Sequence, residues 1–259
     1  MSKTILVTGA TDGIGLLTAK KLAAAGHTVL LHGRSPDKLE RAAQQVGGKV
    51  ETFIADLSDL EATAALADAV GAKHDHLDAL INNAGVLKLP NPMTPSGIDA
   101  RFVVNTLAPY VLTQKLIPII PKTGRVVNLS SAAQAPVNVD AMMEGHPLGD
   151  MEAYAQSKLA ITIWTQEMAK TLPVGPVVVS VNPGSLLASK MVKEGFGVAG
   201  NDLSIGADIL IKAALDDSFA DKSGAYFDND AGRFAAPHAA AQHAQHCRDV
   251  MQAIEKLIS

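Results

Sequence analysis

Tyr154 and Lys158 are the residues of this sequence best suited to proton-transfer chemistry. They lie four positions apart in a predicted helix, Met151–Leu172, so their side chains share one helix face. A phenol has an ordinary pKa of about 10 and needs help to act as an acid or base near neutral pH. The ammonium group of Lys158 would stabilise the phenolate and lower the pKa of Tyr154. The pair therefore predicts proton transfer between Tyr154 and a reacting oxygen.

A glycine-rich turn near the N-terminus is the second feature with a chemical use. Gly9, Gly13 and Gly15 follow a short β-branched run and lead into a predicted helix. Glycines at this spacing permit a sharp turn, backbone approach to a phosphate and close packing of helix on strand. The helix N-terminus offers free N–H groups and a positive dipole end to a pyrophosphate. The alternative is a glycine-rich turn without a ligand. The expected binding residues of this turn are Gly9, Thr11, Asp12, Gly13, Ile14 and Gly15.

The end of the second predicted strand bears on the choice of dinucleotide. An acidic residue there would bind the ribose 2′-hydroxyl of NAD and repel the 2′-phosphate of NADP. This chain has Arg34 and Ser35 instead, and Gly33 leaves room for Arg34 to stack on adenine and pair with a 2′-phosphate. Asp12 in the glycine-rich turn opposes this reading, and a solvated charge at Arg34 is the alternative. The sequence favours NADP(H) over NAD(H).

Two further strand ends carry candidate cofactor contacts. Asp56 and Leu57 follow the third strand, where Asp56 would bind the adenine amino group. Alternatively, Asp56 caps the helix that starts near Asp59. The fourth strand closes with small residues that let the backbone lie beside a cofactor. The expected contacts there are Asn83, Ala84 and Gly85.

Alternating β-branched runs and Ala/Leu-rich stretches must position these residues. The pattern predicts an α/β fold: a Rossmann-like, doubly wound parallel sheet of about seven strands in one domain, residues 1–259. The predicted strands are Thr4–Val7, Thr28–His32, Val50–Ile54, Ala79–Asn82, Arg125–Leu129, Val177–Val181 and Ala225–Phe227. The predicted helices are Ile14–Ala25, Pro36–Val46, Asp59–Val70, Gly97–Leu116, Met151–Leu172, Ile205–Ala214 and Ala239–Ile258. Long irregular stretches at 132–150 and 185–202 follow strands at the ligand edge and predict substrate loops, with a lid at 191–200.

Composition narrows the class of protein. The 259 residues carry a net charge of −4 without a basic run, so a nucleic-acid partner is not expected. The one cysteine, Cys247, cannot form an internal disulfide. No apolar run approaches the roughly 20 residues of a membrane span, and no signal peptide precedes the first strand. A cytoplasmic protein without membrane association is expected. His243, His246 and Cys247, near His238, are interpreted as a solvated helix face, and no metal is expected.

Taken together, the motifs resemble the short-chain dehydrogenase/reductase family. The motifs that carry the resemblance are Thr8–Gly15, Asn82–Gly85, Asn105, Asn128–Ser131, Tyr154 with Lys158, and Asn182–Gly184. They occur in the family's order and spacing, and the resemblance runs from residue 4 to about residue 230. The segment between Ser131 and Tyr154, with the Ser157–Ala160 continuation, resembles the retinol-dehydrogenase-like branch.

The resemblance implies hydride transfer between a nicotinamide and a carbonyl or alcohol carbon. Tyr154 would be the acid/base, and Lys158 would assist it and bind the nicotinamide ribose. Ser131 would donate a hydrogen bond to the substrate oxygen. By the resemblance, Asn105 would hold a water that links Lys158 to solvent. Also by the resemblance, the strand-end residues Pro183 and Gly184 would pass the nicotinamide carboxamide, and Ser189 stands where the family commonly has a threonine. The resemblance implies a homo-oligomer, a dimer or a tetramer.

Two other functions remain open at this level. A nucleotide-sugar epimerase or dehydratase would use similar Tyr/Lys chemistry, but it usually needs a substantial C-terminal domain. A redox-sensing or scaffold protein could bind the dinucleotide without turnover. Apolar residues in the long loops, among them Pro136, Met142 and Met143, suggest a hydrophobic alcohol, ketone or aldehyde as substrate. Ile161, Ile163 and Trp164 are candidates for core or subunit interface.

Overall fold

The fold is built on a single sheet that spans most of the chain. The computed structural model describes residues 1–188, 191, 193, 197 and 199–259. The strands are β1 Thr4–Val7, β2 Thr28–Gly33, β3 Lys49–Ile54, β4 Ala79–Asn82, β5 Arg125–Leu129, β6 Val177–Asn182, β7 Tyr226–Asp228 and β8 Arg233–Ala235. Their order in the sheet is β3-β2-β1-β4-β5-β6-β7-β8. The first seven run parallel, and β8 is antiparallel to β7.

Helices cover both faces of the sheet. Those that matter here are α1 Gly13–Ala24, α2 Pro36–Val46, α3 Leu60–Lys73, α4 Ala100–Phe102, α5 Ala108–Leu116, α6 Val139–Glu144, α7 Asp150–Thr171, α8 Leu203–Leu215 and α9 Ala244–Ile258. A π-helical turn, Val103–Leu107, joins α4 to α5, and a 3-10 turn, Ala239–Gln242, precedes α9.

The apolar runs become strands because both of their faces are buried. In β1, Leu6 faces the apolar cluster that includes Trp164 of α7, whereas Val7 belongs to the opposite cluster with Leu22 of α1 and Leu210 of α8. Alternate side chains of a strand point to opposite faces, so a strand covered on both sides needs an unbroken apolar run. The two core clusters thus hold the sheet between two helical layers.

The architecture confirms the predicted doubly wound parallel sheet, with one strand more than expected. The additional strand β8 is three residues long, antiparallel to β7 and exposed or half-buried, so no buried apolar run marks it. The sheet order reverses between β1 and β4, and ligands of such folds bind outside the carboxyl ends of the strands at that point.

The predicted helix Gly97–Leu116 is wrong at its start and in its middle. Gly97 has a φ of +78°, which a helix does not accept, and α4 begins after Asp99. The Asp99 side chain accepts a hydrogen bond of 2.8 Å from the backbone N–H of Arg101 and so caps the helix. The π-helical turn then carries Asn105 in place of regular helix.

Two other expectations need correction. The stretch 132–150 is not wholly irregular, because it contains α6, which Asn138 caps by accepting from the Ala141 N–H at 3.0 Å. The last predicted helix, Ala239–Ile258, is interrupted at His243, which separates the 3-10 turn from α9. The predicted lid at 191–200 lies largely outside the described residues.

The apolar face of α7 is covered within the chain itself. Ile161, Ile163 and Trp164 are buried in the same cluster as Val250 and Ile254 of α9. These three residues are therefore core, and a homo-oligomer stays a prediction. Within the described part of the chain, no helix is long and apolar enough to cross a membrane.

Candidate active site

A cleft of about 380 Å³ opens at the carboxyl edge of the sheet, where its strand order reverses. The predicted residues that line it are Gly9, Thr11, Asp12, Gly13, Ile14, Gly15, Arg34, Ser35, Asp56, Leu57, Asn83, Ala84, Gly85, Tyr154, Lys158 and Pro183. Among the other predicted residues, Ser131, Asn105 and Gly184 are not part of this lining, and Ser189 lies outside the described residues. The cleft thus joins the glycine-rich turn to the Tyr154/Lys158 pair.

The glycine-rich turn is held in a shape that side chains would prevent. Gly9 and Gly13 have φ values of +64° and +54°, which favour glycine. A Cβ atom at Gly15 would overlap the Gly9 carbonyl oxygen and the Asn83 side-chain amide. The first turn of α1 therefore packs directly on the turn before it. Asp12 precedes α1, and its side chain makes no capping hydrogen bond.

Asn83 links the ends of β1 and β4 on either side of the cleft. Its amide nitrogen donates to the Thr8 carbonyl at 2.8 Å and to the Gly9 carbonyl at 3.2 Å. In return, the Thr8 hydroxyl accepts from the backbone N–H groups of Asn83 and Ala84, each at 3.0 Å. The loops after β1 and β4 are thus tied together by hydrogen bonds.

His32 also supports the glycine-rich turn, and this role was not predicted. Its Nδ1 accepts from the Gly9 N–H at 3.2 Å, and its Nε2 lies 3.1 Å from the Ala55 carbonyl oxygen. Both contacts require a neutral ring with its proton on Nε2. Burial lowers the pKa of His32 to about 4, against the opposing effects of the Ala55 hydrogen bond and of Asp56. The neutral ring therefore fixes the turn to the ends of β2 and β3.

The folded protein should lose stability in acid through His32. Because its pKa falls from 6.5 in the unfolded chain to about 4 in the fold, the unfolded state binds the proton first. The contribution of neutral His32 to the free energy of unfolding is fully present above pH 6.5. It is lost as the pH falls towards 4, which lowers the free energy of unfolding by about 3 kcal/mol. In His32→Asn, the amide oxygen would still accept from Gly9 but does not titrate.

Urea unfolding at pH 7.5 and pH 4.5 measures this effect. We expect the wild type to lose about 2.5 kcal/mol more than His32→Asn between the two values. Exposed His146, changed to Asn in the same way, is the control, and its wild-type-like acid sensitivity is expected. Equal acid sensitivity of the wild type and His32→Asn would contradict the role of His32.

At the carboxyl ends of β2 and β3 the cleft is lined by charged side chains, among them Asp56. Arg34 and Lys38 both line it, and Lys38 was not predicted. Gly33 is required here because a Cβ atom would overlap the Thr11 methyl group. Burial opposes ionisation of Asp56, but hydrogen bonds from Ser58 and the charge of Arg34 keep its pKa below the usual range.

Asp56 does not cap the helix after β3. Its carboxylate accepts from the Ser58 N–H at 3.0 Å and from the Ser58 hydroxyl at 2.8 Å. The cap of α3 is Asp59, which accepts from the backbone N–H groups of Glu61 and Ala62 at 2.9 and 3.1 Å. Asp56 thus lines the cleft, and its carboxylate is held by Ser58 and not by the helix.

The opposite end of the cleft holds Tyr154 and Lys158 on one face of α7. The ammonium nitrogen of Lys158 lies 5.6 Å from the centre of the Tyr154 ring and donates to the Leu129 carbonyl at 2.7 Å. Lys158 is buried and Tyr154 half-buried. The neighbouring Ser130 hydroxyl donates to the Lys158 carbonyl at 3.0 Å, so Ser130 supports the helix.

Burial changes the acidity of both members of the pair. It raises the pKa of Tyr154, although a hydrogen bond with the Ser131 side chain acts in the opposite direction. It lowers the pKa of Lys158 to about 8. The net shift of the Tyr154 pKa is upward because desolvation of the phenol outweighs the hydrogen bond with Ser131, and the stabilisation of the phenolate by Lys158 stays a prediction. Near neutral pH the phenol is protonated and available as a donor.

Asn105 reaches the site through the π-helical turn. Its Oδ1 accepts from the Val86 N–H at 2.8 Å, and its Nδ2 donates to the Val86 carbonyl at 2.9 Å and the Ser157 hydroxyl at 3.0 Å. The side chain is thus satisfied by the segment after β4 and by α7. Its part in a water relay stays a prediction.

A buried ion-pair group positions the start of α7. The Arg101 guanidinium donates to both Asp99 carboxylate oxygens, at 2.9 and 2.6 Å, and to Asp150 at 2.5 Å. Arg101 and Asp99 are almost completely buried, whereas Asp150 in the first turn of α7 is partly exposed. This pairing orients the helix that carries Tyr154, and no local motif revealed it.

The loop after β6 is tied to the turn after β7. Asp230 accepts from the Ser185 N–H at 2.8 Å, the Ser185 hydroxyl at 2.5 Å and the Asn182 amide at 2.9 Å. Asn229 donates to the Pro183 carbonyl at 2.9 Å. Pro183 and its neighbours are therefore held against the cleft by the C-terminal part of the chain.

The histidines near the C-terminus make structural contacts. His246 accepts through Nε2 from the Val137 N–H at 3.3 Å, and His238 accepts through Nδ1 from the Ala240 N–H at 3.2 Å. Cys247 is buried and donates to the Ala241 carbonyl. The predicted solvated helix face is therefore wrong at Cys247, which lies in the apolar core, and His246 is half-buried.

Comparisons with known proteins identify the family. The family model described as short chain dehydrogenase matches residues 3–196. Human retinol dehydrogenase 13 is 32% identical over 264 residues, which cover 92% of this chain and 79% of that protein. Mouse retinol dehydrogenase 13 is 34% identical, and the chain spans 58% of its length.

Solved structures show the same fold. A protein from Mycobacterium paratuberculosis superimposes with a TM-score of 0.81 at 30% identity, covering 99% of this chain and 93% of that one. A metagenomic short-chain oxidoreductase in complex with NADP has a TM-score of 0.63 at 32% identity, covering 80% and 88%. The chain therefore belongs to the short-chain dehydrogenase family of NAD(P)-dependent oxidoreductases.

Proposed function

We propose that this chain transfers hydride between NADP(H) and the carbonyl or alcohol carbon of a hydrophobic small molecule. The observation that carries the proposal is the continuous cleft from the glycine-rich turn to the Tyr154/Lys158 pair. A dinucleotide is an extended ligand, and its pyrophosphate and nicotinamide would occupy these two ends.

The backbone of the cleft fits such a ligand. Gly9 and Gly15 leave the turn bare, so a pyrophosphate could approach the first N–H groups of α1. A Cβ atom at Gly85 would lie 3.3 Å from Asn105 Oδ1 and 3.5 Å from Lys158 Nζ. Glycine at this position keeps open the space beside the catalytic lysine. We infer that Lys158 and the Asn83–Gly85 backbone hold the nicotinamide ribose.

Tyr154 acts as the general acid in the reductive direction. The bound nicotinamide supplies or accepts the hydride. Tyr154 donates its proton to the substrate oxygen, because its raised pKa keeps the phenol protonated near neutral pH. Lys158 stabilises the phenolate that results, and the Ser131 hydroxyl donates a hydrogen bond to the substrate oxygen as charge develops there. Alcohol oxidation runs these steps in reverse.

The substrate end of the cleft favours an apolar ligand. The lining of the cleft includes the apolar side chains of Val86, Leu87, Leu89, Val104 and Met191, together with Lys88. A ligand pocket with an apolar wall and a few convergent polar groups binds a hydrophobic molecule and orients one polar atom of it. The names of relatives such as retinol dehydrogenase 13 support an alcohol or carbonyl compound of this kind.

The cofactor preference depends on Arg34 and Lys38. We expect NADPH to bind more tightly than NADH, since both cations line the end of the cleft where a 2′-phosphate would lie. Arg34→Ala should weaken NADPH binding by about 10- to 100-fold and NADH binding by less than about 3-fold. Titrations followed by nicotinamide fluorescence measure both dissociation constants.

Arg41→Ala is the matched control, because Arg41 is exposed on α2 and does not line the cleft. It should leave both constants unchanged. Equal affinity of the wild type for NADPH and NADH would contradict the NADP(H) assignment but not the Tyr154/Lys158 chemistry.

A panel of hydrophobic alcohols, ketones and aldehydes, assayed with NADPH and NADP⁺, tests the reaction itself. Turnover that follows the nicotinamide absorbance would support the proposal. Tight cofactor binding without turnover on any member of the panel would favour a redox-sensing or scaffold role instead.

A further inference from the structure

The backbone carbonyl of Ser131 is held by two side chains outside the predicted site. The Tyr226 hydroxyl donates to this oxygen at 3.1 Å, and Gln134 Nε2 donates to it at 2.9 Å. Gln134 is itself fixed, because its Oε1 accepts from the His238 N–H at 2.9 Å. The C-terminal part of the chain therefore reaches the loop that carries Ser131.

The loop that carries Ser131 has other hydrogen bonds on both sides of that residue. Before it, the Ser130 hydroxyl donates to α7 at 3.0 Å. After it, the Ala133 N–H donates to the Ser131 hydroxyl at 3.1 Å, and the Ala135 N–H donates to a carbonyl of α7 at 3.2 Å. The two side chains that bind the Ser131 carbonyl act between these contacts, so they contribute to the orientation of the Ser131 peptide.

Tyr226 is well suited to be a permanent donor. It is 6% exposed and lies in β7, where it pairs with Ser180 of β6. Burial raises the pKa of its phenol, and the carboxylates of Asp228 and Asp230 raise it further. Its hydroxyl therefore keeps its proton across the pH range in which Tyr154 and Lys158 would work.

We propose that Tyr226 is a positioning residue, which fixes the Ser131 peptide so that the Ser131 hydroxyl points at the substrate oxygen. The inference rests on the proposed function, because it assigns Ser131 as the donor to that oxygen. Tyr226 lies beyond residues 3–196, the part of the chain that the family model matches. A hydrogen-bond donor stabilises a developing oxyanion only when it is held in place beforehand, and small displacements cost much of the rate.

The three tyrosines of the chain permit a matched experiment. Tyr226→Phe removes only the hydroxyl that binds Ser131. Tyr110→Phe removes a hydroxyl from a ring that packs on Trp164, remote from the cleft lining, and serves as the control. We expect Tyr226→Phe to lower kcat about 5- to 20-fold, with KM and the NADPH dissociation constant within about 2-fold of wild type. Tyr110→Phe should retain the wild-type kcat.

A double-mutant cycle separates positioning from general support of the fold. In a Ser131→Ala background, Tyr226→Phe should change kcat by less than about 2-fold, because the group that it positions is gone. The same fold loss in both backgrounds, or a wild-type kcat for Tyr226→Phe, would overturn the proposal. Neither result would affect the proposed function, which fails only if the wild type shows no turnover or Tyr154→Phe remains fully active.

Gln134→Leu removes the second hydrogen bond to the Ser131 carbonyl and so tests the same proposal. Gln134 is half-exposed, so its replacement does not disturb the core if Tyr226→Phe proves unstable. We expect Gln134→Leu to lower kcat in the wild type and to have little further effect in Ser131→Ala. An equal loss in both backgrounds would count against the proposal.

Discussion

Replacing Tyr154 with Phe should lower kcat for carbonyl reduction by about 10²- to 10⁴-fold, the range expected for the loss of a general acid. The variant lacks only the proton that the substrate oxygen must receive. The phenyl ring still packs beside Lys158, whose ammonium group lies 5.6 Å from the ring centre. Cofactor affinity should therefore stay within about 2-fold of the wild type. Single-turnover kinetics with NADPH and equilibrium titration measure the two quantities separately.

Tyr110→Phe is the control for Tyr154→Phe as well. If Tyr154→Phe lost cofactor binding together with activity, the phenol would have a structural role in the cleft, and its assignment as the acid would be wrong. Full activity of the variant would exclude the proposed mechanism altogether. Loss of turnover with intact binding is the only result that agrees with proton donation.

The part of the fold that the sequence reveals is the part buried on both faces. Runs such as Ile5–Val7 and Val177–Val179 are unbroken, and every side chain in them is buried. The strand β8 was missed because its three side chains are exposed or half-buried, and the helix α6 was missed because six residues are too few for a helical period to appear. In α6 the caps Asn138 and Gly145 were nevertheless readable as local signals.

In the candidate site, too, some features are visible in the local sequence and others are not. The glycine-rich turn and the Tyr154/Lys158 pair are local spacings, so they could be found without the fold. Lys38 stands four residues after Arg34 near the start of α2, and that spacing could have identified it. His32, a polar residue inside an apolar strand, was a readable signal as well.

Other features of the site depend on tertiary contacts alone. Tyr226 reaches Ser131 only because β7 lies beside β6, and Arg101 reaches α7 from a distant segment. The direction of the Tyr154 pKa shift also depends on tertiary contacts. Helical spacing shows that a cation is near, but not that burial removes the phenol from water, and burial is the larger effect here.

Replacing Lys158 with Met is expected to change activity and stability in opposite directions. The variant loses the cation that stabilises the Tyr154 phenolate, which should lower kcat/KM by about 10²- to 10³-fold. The same cation is costly to the fold, because burial lowers the pKa of Lys158 from 10.5 to about 8. At neutral pH the folded state carries a charge that the unfolded state solvates better, at a cost of about 3 kcal/mol.

The Met variant should therefore be more stable than the wild type at pH 7, by about 1–2 kcal/mol after loss of the hydrogen bond to Leu129. The advantage should shrink as the pH rises from 8 to 10.5, since the folded wild type then releases its proton before the unfolded chain does. Urea unfolding at pH 7 and pH 10 checks both signs. Lys170→Met, on an exposed position of the same helix, controls for the substitution itself.

A Met variant that is both inactive and clearly less stable at pH 7 would show that Lys158 supports the fold, and its loss of activity would then say nothing about chemistry. A more stable variant with low activity would mean that the fold tolerates a buried cation at a cost in stability. Such a cost is typical of active sites, where a residue is placed for the transition state rather than for the native core. Lys158 is buried at the end of the cleft, and among the residues that the structure describes its hydrogen-bond partner is the Leu129 carbonyl oxygen, so it has the surroundings of such a residue.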